Sequence, residues 1–370
     1  MEKYCLGIDV DKKSLKVCMM HSTLSGMKIK GSRTFTNNTS GFQLLLEWAD
    51  KKSSSASFSA VMEATGVYHE HLAYFLNSRQ IEVHVVLASM SKYYIRSLGH
   101  RSKTDQLDAK GLAQMGCERQ LAVWAPAPKS IIELRSLTRQ VEALQEQKTM
   151  ISNQFEAFSH AQVVHKSVIQ SNRAILLALE KQIANLKKTI EQIIKNDAEL
   201  TAKYQLFSTL KGVGMMVFAV VISETNGFLA FTNQKQLTSY AGYDVVENQS
   251  GQRSGKTKIS KKGNTHIRRI LHLAAWTAVS HQVSPFHQLY QRVFERTNIK
   301  SKAYVAVQRK LLMMIYTLWK KNEAFDANFG KSQNVNSEMQ ECLVSLEKKQ
   351  KTVTSMEATA LDKLSCNQVA

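Results

Sequence analysis

Short apolar runs separated by polar turns fill the first third of the chain, and leucines and isoleucines at heptad spacing fill the middle. Residues 4–10, 15–20 and about 28–36 read as three strands, joined by Asp11-Lys-Lys-Ser14 and Thr23-Leu-Ser-Gly26. A helix is expected over about 40–50, where Gly41-Phe-Gln-Leu-Leu-Leu-Glu-Trp48 carries the apolar stripe. A strand over 57–62 closes at Glu63, followed by a helix over about 68–78, a strand over 81–87 and helical segments from 89 to 119.

The order βββ-α-β-α-β-α is that of an RNase H-like α/β domain. In that order the first strand, the fourth strand and the last helix meet at one end of the sheet. Those elements carry Asp9, Glu63 and the pair Asp105 and Asp108, which stand three residues apart and so share a helix face.

Pro126 and Pro128 mark a domain edge. Beyond it Leu134, Leu137, Val141, Leu144, Ile151, Phe155 and Phe158 alternate in threes and fours, interrupted by Lys148. After a polar break near 160–172 the pattern resumes with Leu176, Leu179, Ile183, Leu186, Ile190 and Ile193. Two such arms without an internal Gly or Pro predict an antiparallel coiled-coil hairpin, each arm about 40 Å long. Its seam serves either internal packing or a second protomer.

A second compact unit over 204–290 opens with Leu210-Lys-Gly-Val-Gly214 and an apolar helix from Met215 to Ser223. Gly-Val-Gly before a helix suits either a plain tight turn or a phosphate contact through backbone N–H groups. The run 250–269 has no acidic residue, and Arg253, Lys256, Lys258, Lys261, Lys262, Arg268 and Arg269 make it the strongest basic stretch. Its first half is expected to be a loop and its second half to enter a helix over 267–280. A further helix is expected over about 301–320. The domains are thus expected at 1–128, 129–200 and 201–328, with a polar, disordered tail over 329–370.

Composition sharpens this picture. Lys and Arg number 49 against 30 Asp and Glu, a formal charge of +19, so a polyanionic partner is expected, nucleic acid above all. The alternative is a generally basic soluble protein. Five scattered cysteines without a CxxC pair argue against a zinc site or a disulfide framework, and fit a reducing cytoplasm. The N-terminus lacks the pattern of a signal peptide, and no apolar stretch suits a bilayer, so a soluble cytoplasmic protein with no membrane partner is expected.

Acidic groups gathered against their own repulsion suit a divalent cation, and all-oxygen ligation suits Mg2+. Two such ions about 4 Å apart can serve an in-line displacement at phosphorus. Each Asp taken singly also reads as a turn residue or helix cap. Asp11 adds a further carboxylate, since strand alternation puts it on the face of Asp9. Ser250, beside Gly251 and ahead of the basic run, is a candidate nucleophile, and Ser254 and Ser260 serve equally on that ground.

Gly7-Ile-Asp-Val10, Met62-Glu-Ala-Thr-Gly66 and Lys103-Thr-Asp-Gln-Leu-Asp-Ala109 resemble the motifs of DEDD transposases of the insertion-sequence-110 family, which is also similar to pilin-gene invertase. Gly212-Val-Gly214, Tyr240-Ala-Gly242, Ser250-Gly251, Ile259-Ser-Lys-Lys-Gly-Asn264 and Ile267-Arg-Arg269 resemble the family's C-terminal domain. Together the resemblance spans roughly residues 3–290. It implies a RuvC-like nuclease domain, a coiled-coil dimerisation segment and a mainly helical transposase domain. It also implies a metal-binding tetrad at Asp9, Glu63, Asp105 and Asp108, a serine nucleophile at Ser250, and Lys103 among the nucleic-acid contacts. Donor and target DNA, a structured noncoding guide RNA and a homo-oligomer are the implied partners. Two departures stand out: Asp11 where the family often has serine, and Tyr243-Asp-Val-Val-Glu-Asn248 in place of a proline-containing stretch.

The expectation is therefore a transposase or site-specific recombinase that cuts and rejoins DNA through Ser250 at a Mg2+ site. The alternative is a RuvC-like junction nuclease that uses metal-activated water. A nuclease-dead nucleic-acid-binding scaffold is the rival of another class.

Overall fold

The computed structural model describes residues 2–64, 66–99, 102, 104–247, 249–250, 253–255 and 257–325, without the side chains of 249, 250, 253 and 254. The expected tail, Lys103 and Lys256 lie outside the described residues. The chain divides into two compact units after Pro128.

In the first unit β1 (Lys3–Val10), β2 (Ser14–Thr23) and β3 (Gly26–Thr36) form an antiparallel meander. Then come α1 (Thr39–Ser53), β4 (Phe58–Glu63), α2 (Glu70–Ser78), β5 (Glu82–Val86), α3 (Ala88–Ser97) and α4 (Asp105–Glu118). The five strands make one sheet in the order β3-β2-β1-β4-β5, with β4 parallel to β1 and β5 parallel to β4. This mixed α/β arrangement is consistent with the RNase H-like domain expected.

β1 is central, so both of its faces are covered. Leu6, Ile8 and Val10 join Phe42 and Leu45 of α1 and Leu72 and Leu76 of α2 in one core. Cys5 and Val61 face the other way, against Tyr94 of α3 and Leu112 and Met115 of α4. Each fully buried Leu or Ile contributes about 1.5–3 kcal/mol of transfer free energy.

Two glycines let α4 lie directly on β1. A Cβ at Gly7 would meet the Ala109 carbonyl oxygen at 2.1 Å and the Ala113 nitrogen at 2.2 Å. One at Gly116 would meet Cys5 Sγ at 2.2 Å. With Cys5 under Gly116 and Gly7 under Ala109 and Ala113, α4 runs antiparallel to β1, so its first turn overhangs the strand end that carries Asp9.

The second unit is largely helical. α5 (Lys129–Ser159) and α6 (Lys166–Asn196) pack along one another, and Lys148 pairs with Glu180 at 2.8 Å. α6 begins inside the expected polar break, because the His165 side chain caps it by accepting from the Ser167 N–H. Then follow α7 (Ala198–Ser208), α8 (Met215–Glu224) and α9 (Gln234–Tyr240). Four two-residue strands, β6 (Val245–Val246), β7 (Gln249–Ser250), β8 (Arg253–Ser254) and β9 (Lys258–Ile259), precede α10 (Thr265–Ser280), α11 (Phe286–Thr297) and α12 (Lys300–Lys321). Pairing of β6 with β9 and of β7 with β8 gives the expected loop some local order. α8 is the hub of this unit, buried from Val217 through Glu224. Among the described residues no helix is long and apolar enough to cross a membrane.

Candidate active site

Ile8 of β1 pairs with Met62 of the parallel strand β4, so Asp9 and Glu63 occupy neighbouring positions at the carboxyl ends of two adjacent strands. Asp9 follows Gly7 in alternation and Glu63 follows Val61, which directs both toward the side of the sheet covered by α4. Thr104 caps α4 by accepting from the Leu107 N–H at 3.2 Å, which starts the helix with Asp105 and Asp108 in its first turn. The positive end of the helix dipole favours two acids there. Asp105 is exposed, whereas Asp9, Glu63 and Asp108 are partly buried.

Asp9 carries the electrostatic signature of the group. Burial, and then the charges of Asp105, Asp108, Glu63 and Asp11 in that order, push Asp9 from 3.8 up to about 6. Glu63 is held from behind: Ser91, fully buried on α3, donates from Oγ to Glu63 Oε2 at 2.6 Å. Nothing in the Ala88-Ser-Met-Ser91 pattern marks that serine in the sequence.

Among the described residues no group of three His, Cys, Asp or Glu side chains is arranged to hold a metal ion as it stands. The donor set is nonetheless the oxygen-only kind that suits a hard divalent cation. Asp9's raised proton affinity registers negative charge that a cation would offset. Asp9, Glu63, Asp105 and Asp108 are the groups that would hold one.

In the second unit Lys258, Lys261 and Lys262 are exposed. Arg268 turns inward, donating to the carbonyls of Ala241, Gly263 and Asn264 at 2.8, 3.1 and 3.2 Å. Arg269 pairs with Glu142 and Glu146 of α5. Arg253 and Ser250 stand opposite each other in the β7–β8 pair, with side chains outside the described set. The sequence reading missed the polar centre of this unit. Glu224, 4 % exposed, accepts from Arg139 Nε and Nη2 at 2.7 and 3.0 Å and from Asn264 Nδ2 at 2.6 Å. Burial alone would raise the Glu224 pKa, but the Arg139 and Asn264 hydrogen bonds and the Arg139 charge outweigh it and hold it below the ordinary value. Asn264 also caps α10 through the Ile267 N–H, a cap legible in Asn264-Thr-His.

Residues 6–158 match a family model of DEDD transposases described as "Transposase", and residues 204–291 match one described as "Transposase IS116/IS110/IS902 family". The chain belongs to this IS110 transposase family. Relatives include the pilin gene-inverting proteins of Moraxella bovis and Moraxella lacunata, each 29% identical over 329 residues, covering 88% of this chain and 98% of theirs. A putative transposase of Sinorhizobium fredii, y4qE, is 27% identical over 49% of this chain and 50% of its own length. A solved Ppx/GppA family member from Aquifex aeolicus covers 88% of this chain and 92% of its own, at 10% identity and a TM-score of 0.21, too distant to inform the reading. As an IS110-family transposase the chain is an enzyme of phosphodiester chemistry.

Family membership corrects one expectation. A DEDD enzyme of the RNase H kind draws its chemistry from its carboxylates and a metal-activated water, and so needs no protein nucleophile. The covalent role expected for Ser250 is therefore withdrawn in favour of the hydrolytic alternative.

Proposed function

We propose that this transposase cuts DNA by RuvC-like hydrolysis at Asp9, Glu63, Asp105 and Asp108, with Mg2+ as the cofactor these four side chains hold. The observation that carries the reading is the placement of Asp9 and Glu63 at neighbouring strand ends under the first turn of α4, which holds Asp105 and Asp108. Burial first, and then the charges of the other carboxylates, raise the proton affinity of Asp9 there. A bound divalent cation supplies the activation of the attacking water and the charge compensation at the phosphate. The chain's part is positional. Ser91 fixes one oxygen of Glu63, Thr104 fixes the start of α4, and Gly7 sets the distance between α4 and β1. Asp11 adds charge beside Asp9.

Lys258, Lys261 and Lys262 are read as phosphate contacts, with Lys103, Arg253 and Lys256 as further members of the same set. Such contacts make binding fall steeply with salt. Arg268 and Arg269 then hold the start of α10 in place for that basic segment. α5 and α6 are read as a coiled-coil hairpin that recruits a second copy of the chain. Ile183, Ile190 and Ile194 are buried in its seam, while Ile151, Phe155, Phe158 and Leu176 are left half-covered. The basic surplus and the family resemblance support a structured RNA as a further partner in the cytoplasm.

The test is cleavage of branched DNA by the full chain with and without Mg2+. Cutting that requires the metal and disappears in Asp9→Asn and Asp105→Ala supports the reading. Cutting that survives both substitutions would overturn it.

A further inference from the structure

The β1–α4 interface that carries Asp9 and Asp105 at one end carries a pair of thiols at the other. Cys5 on β1 is fully buried, and Cys117 on α4 is half-buried and packs against the cluster to which Cys5 belongs. Gly116 makes the approach possible, since its missing side chain leaves the space that Cys5 Sγ occupies. Lys3 donates from Nζ to the Gly116 carbonyl at 2.8 Å, which sets an ammonium group beside the pair. Cys18 on β2 is the third thiol of this corner, and Cys117 packs against its cluster as well. The hydrolytic chemistry uses none of them.

We infer that Cys5 and Cys117 form a peroxide-sensitive thiol pair that closes a reversible disulfide between β1 and α4. Cys117 is the sulfur attacked first. It is the accessible one, and the neighbouring Cys5 thiol, against the effect of burial and with help from the Lys3 charge, lowers its pKa. The Cys117 thiolate attacks one oxygen of hydrogen peroxide, the O–O bond breaks, hydroxide leaves, and a sulfenic acid forms. Cys5 sulfur then attacks Cys117 sulfur. The S–S bond forms, the S–O bond breaks, and water departs with the Cys5 proton. Two thiols are oxidised by two electrons and one peroxide becomes two waters. The bond ties the strand of Asp9 to the helix of Asp105 and Asp108, and a thiol reductant releases it.

The experiment uses the full chain carrying Cys342→Ser and Cys366→Ser, which leaves three of the five cysteines. It is treated with hydrogen peroxide, alkylated and mapped by peptide mass spectrometry. The expected result is a Cys5–Cys117 linked peptide that dithiothreitol reverses, with Cys18 still alkylated. Adding Cys117→Ser should abolish the link and leave Cys5 alkylated, and adding Cys18→Ser should leave the link unchanged. A Cys18–Cys117 link, overoxidised Cys117 without any link, or three intact thiols after treatment would each overturn the inference.

Discussion

Ser91 Oγ donates a 2.6 Å hydrogen bond to Glu63 Oε2 from a fully buried position in the first turn of α3. The same hydroxyl lies 3.0 Å from the Ala88 carbonyl, and the charged acceptor has the shorter contact. The bond fixes the direction in which Glu63 presents its other oxygen. Ser91→Ala should therefore weaken Mg2+ binding roughly 10-fold, in the range seen when a partner of a metal ligand is removed. Ser91→Thr, which keeps the hydroxyl, should recover part of it. Calorimetric Mg2+ titration beside the metal dependence of cleavage checks this, and an unchanged titration would show that Ser91 only packs.

Gly7→Ala should damage both stability and activity. The added Cβ lies 2.1 Å from a backbone oxygen of α4, so the helix has to lift off the strand. Overpacking of this kind costs about 1–3 kcal/mol. The displaced α4 carries Asp105 and Asp108 with it, so cleavage should fall further than the loss of folded protein explains. Denaturant unfolding and specific activity, measured on the same preparation, separate the two effects.

Asp9 sets a pH dependence in metal-free protein. Its pKa rises from 3.8 to about 6 on folding, so the folded state binds the extra proton between those values. Its contribution is most favourable below 3.8 and is lost as pH rises through about 6. Asp9→Asn should thus raise the unfolding temperature at about pH 8 in a chelator and do little near pH 3. Discounted for partial solvent screening, the gain is roughly 1–2 kcal/mol. Equal effects at the two pH values would contradict the charge origin.

Glu224→Gln should destabilise the second unit by about 1–3 kcal/mol, because the buried carboxylate loses its charge-assisted hydrogen bonds to the half-exposed Arg139. The lowered pKa of Glu224 gives the opposite sign to Asp9: its contribution is present above the ordinary carboxylate value and is lost as pH falls through the lowered one. A double-mutant cycle with Arg139→Met, followed by chemical denaturation, measures the coupling.

The strands of the first unit were legible because β1, β2 and β4 are buried and read as apolar runs, and in β1 and β4 the run closes on an acid. Asp105 and Asp108 were legible as a pair because a three-residue spacing survives any detail of packing. Contacts between distant residues were not. Nothing local says that Gly7 lies under Ala113, that Ser91 faces Glu63, or that Cys5 meets Cys117. Nor does anything local in the basic run say that Arg268 turns to backbone carbonyls or that Arg269 pairs with Glu142 and Glu146, more than a hundred residues earlier. The serine mechanism failed for another reason: a hydroxyl beside glycine and lysines is a common loop, and the carboxylates suffice for hydrolysis.

The attacking oxygen is the decisive atom. DNA cleavage in water enriched in a heavy oxygen isotope, followed by mass spectrometry of the cut ends, identifies it directly. Hydrolysis at the four carboxylates predicts one heavy oxygen on each newly formed terminal phosphate and no protein attached to DNA. Unlabelled phosphate joined covalently to the protein would contradict it.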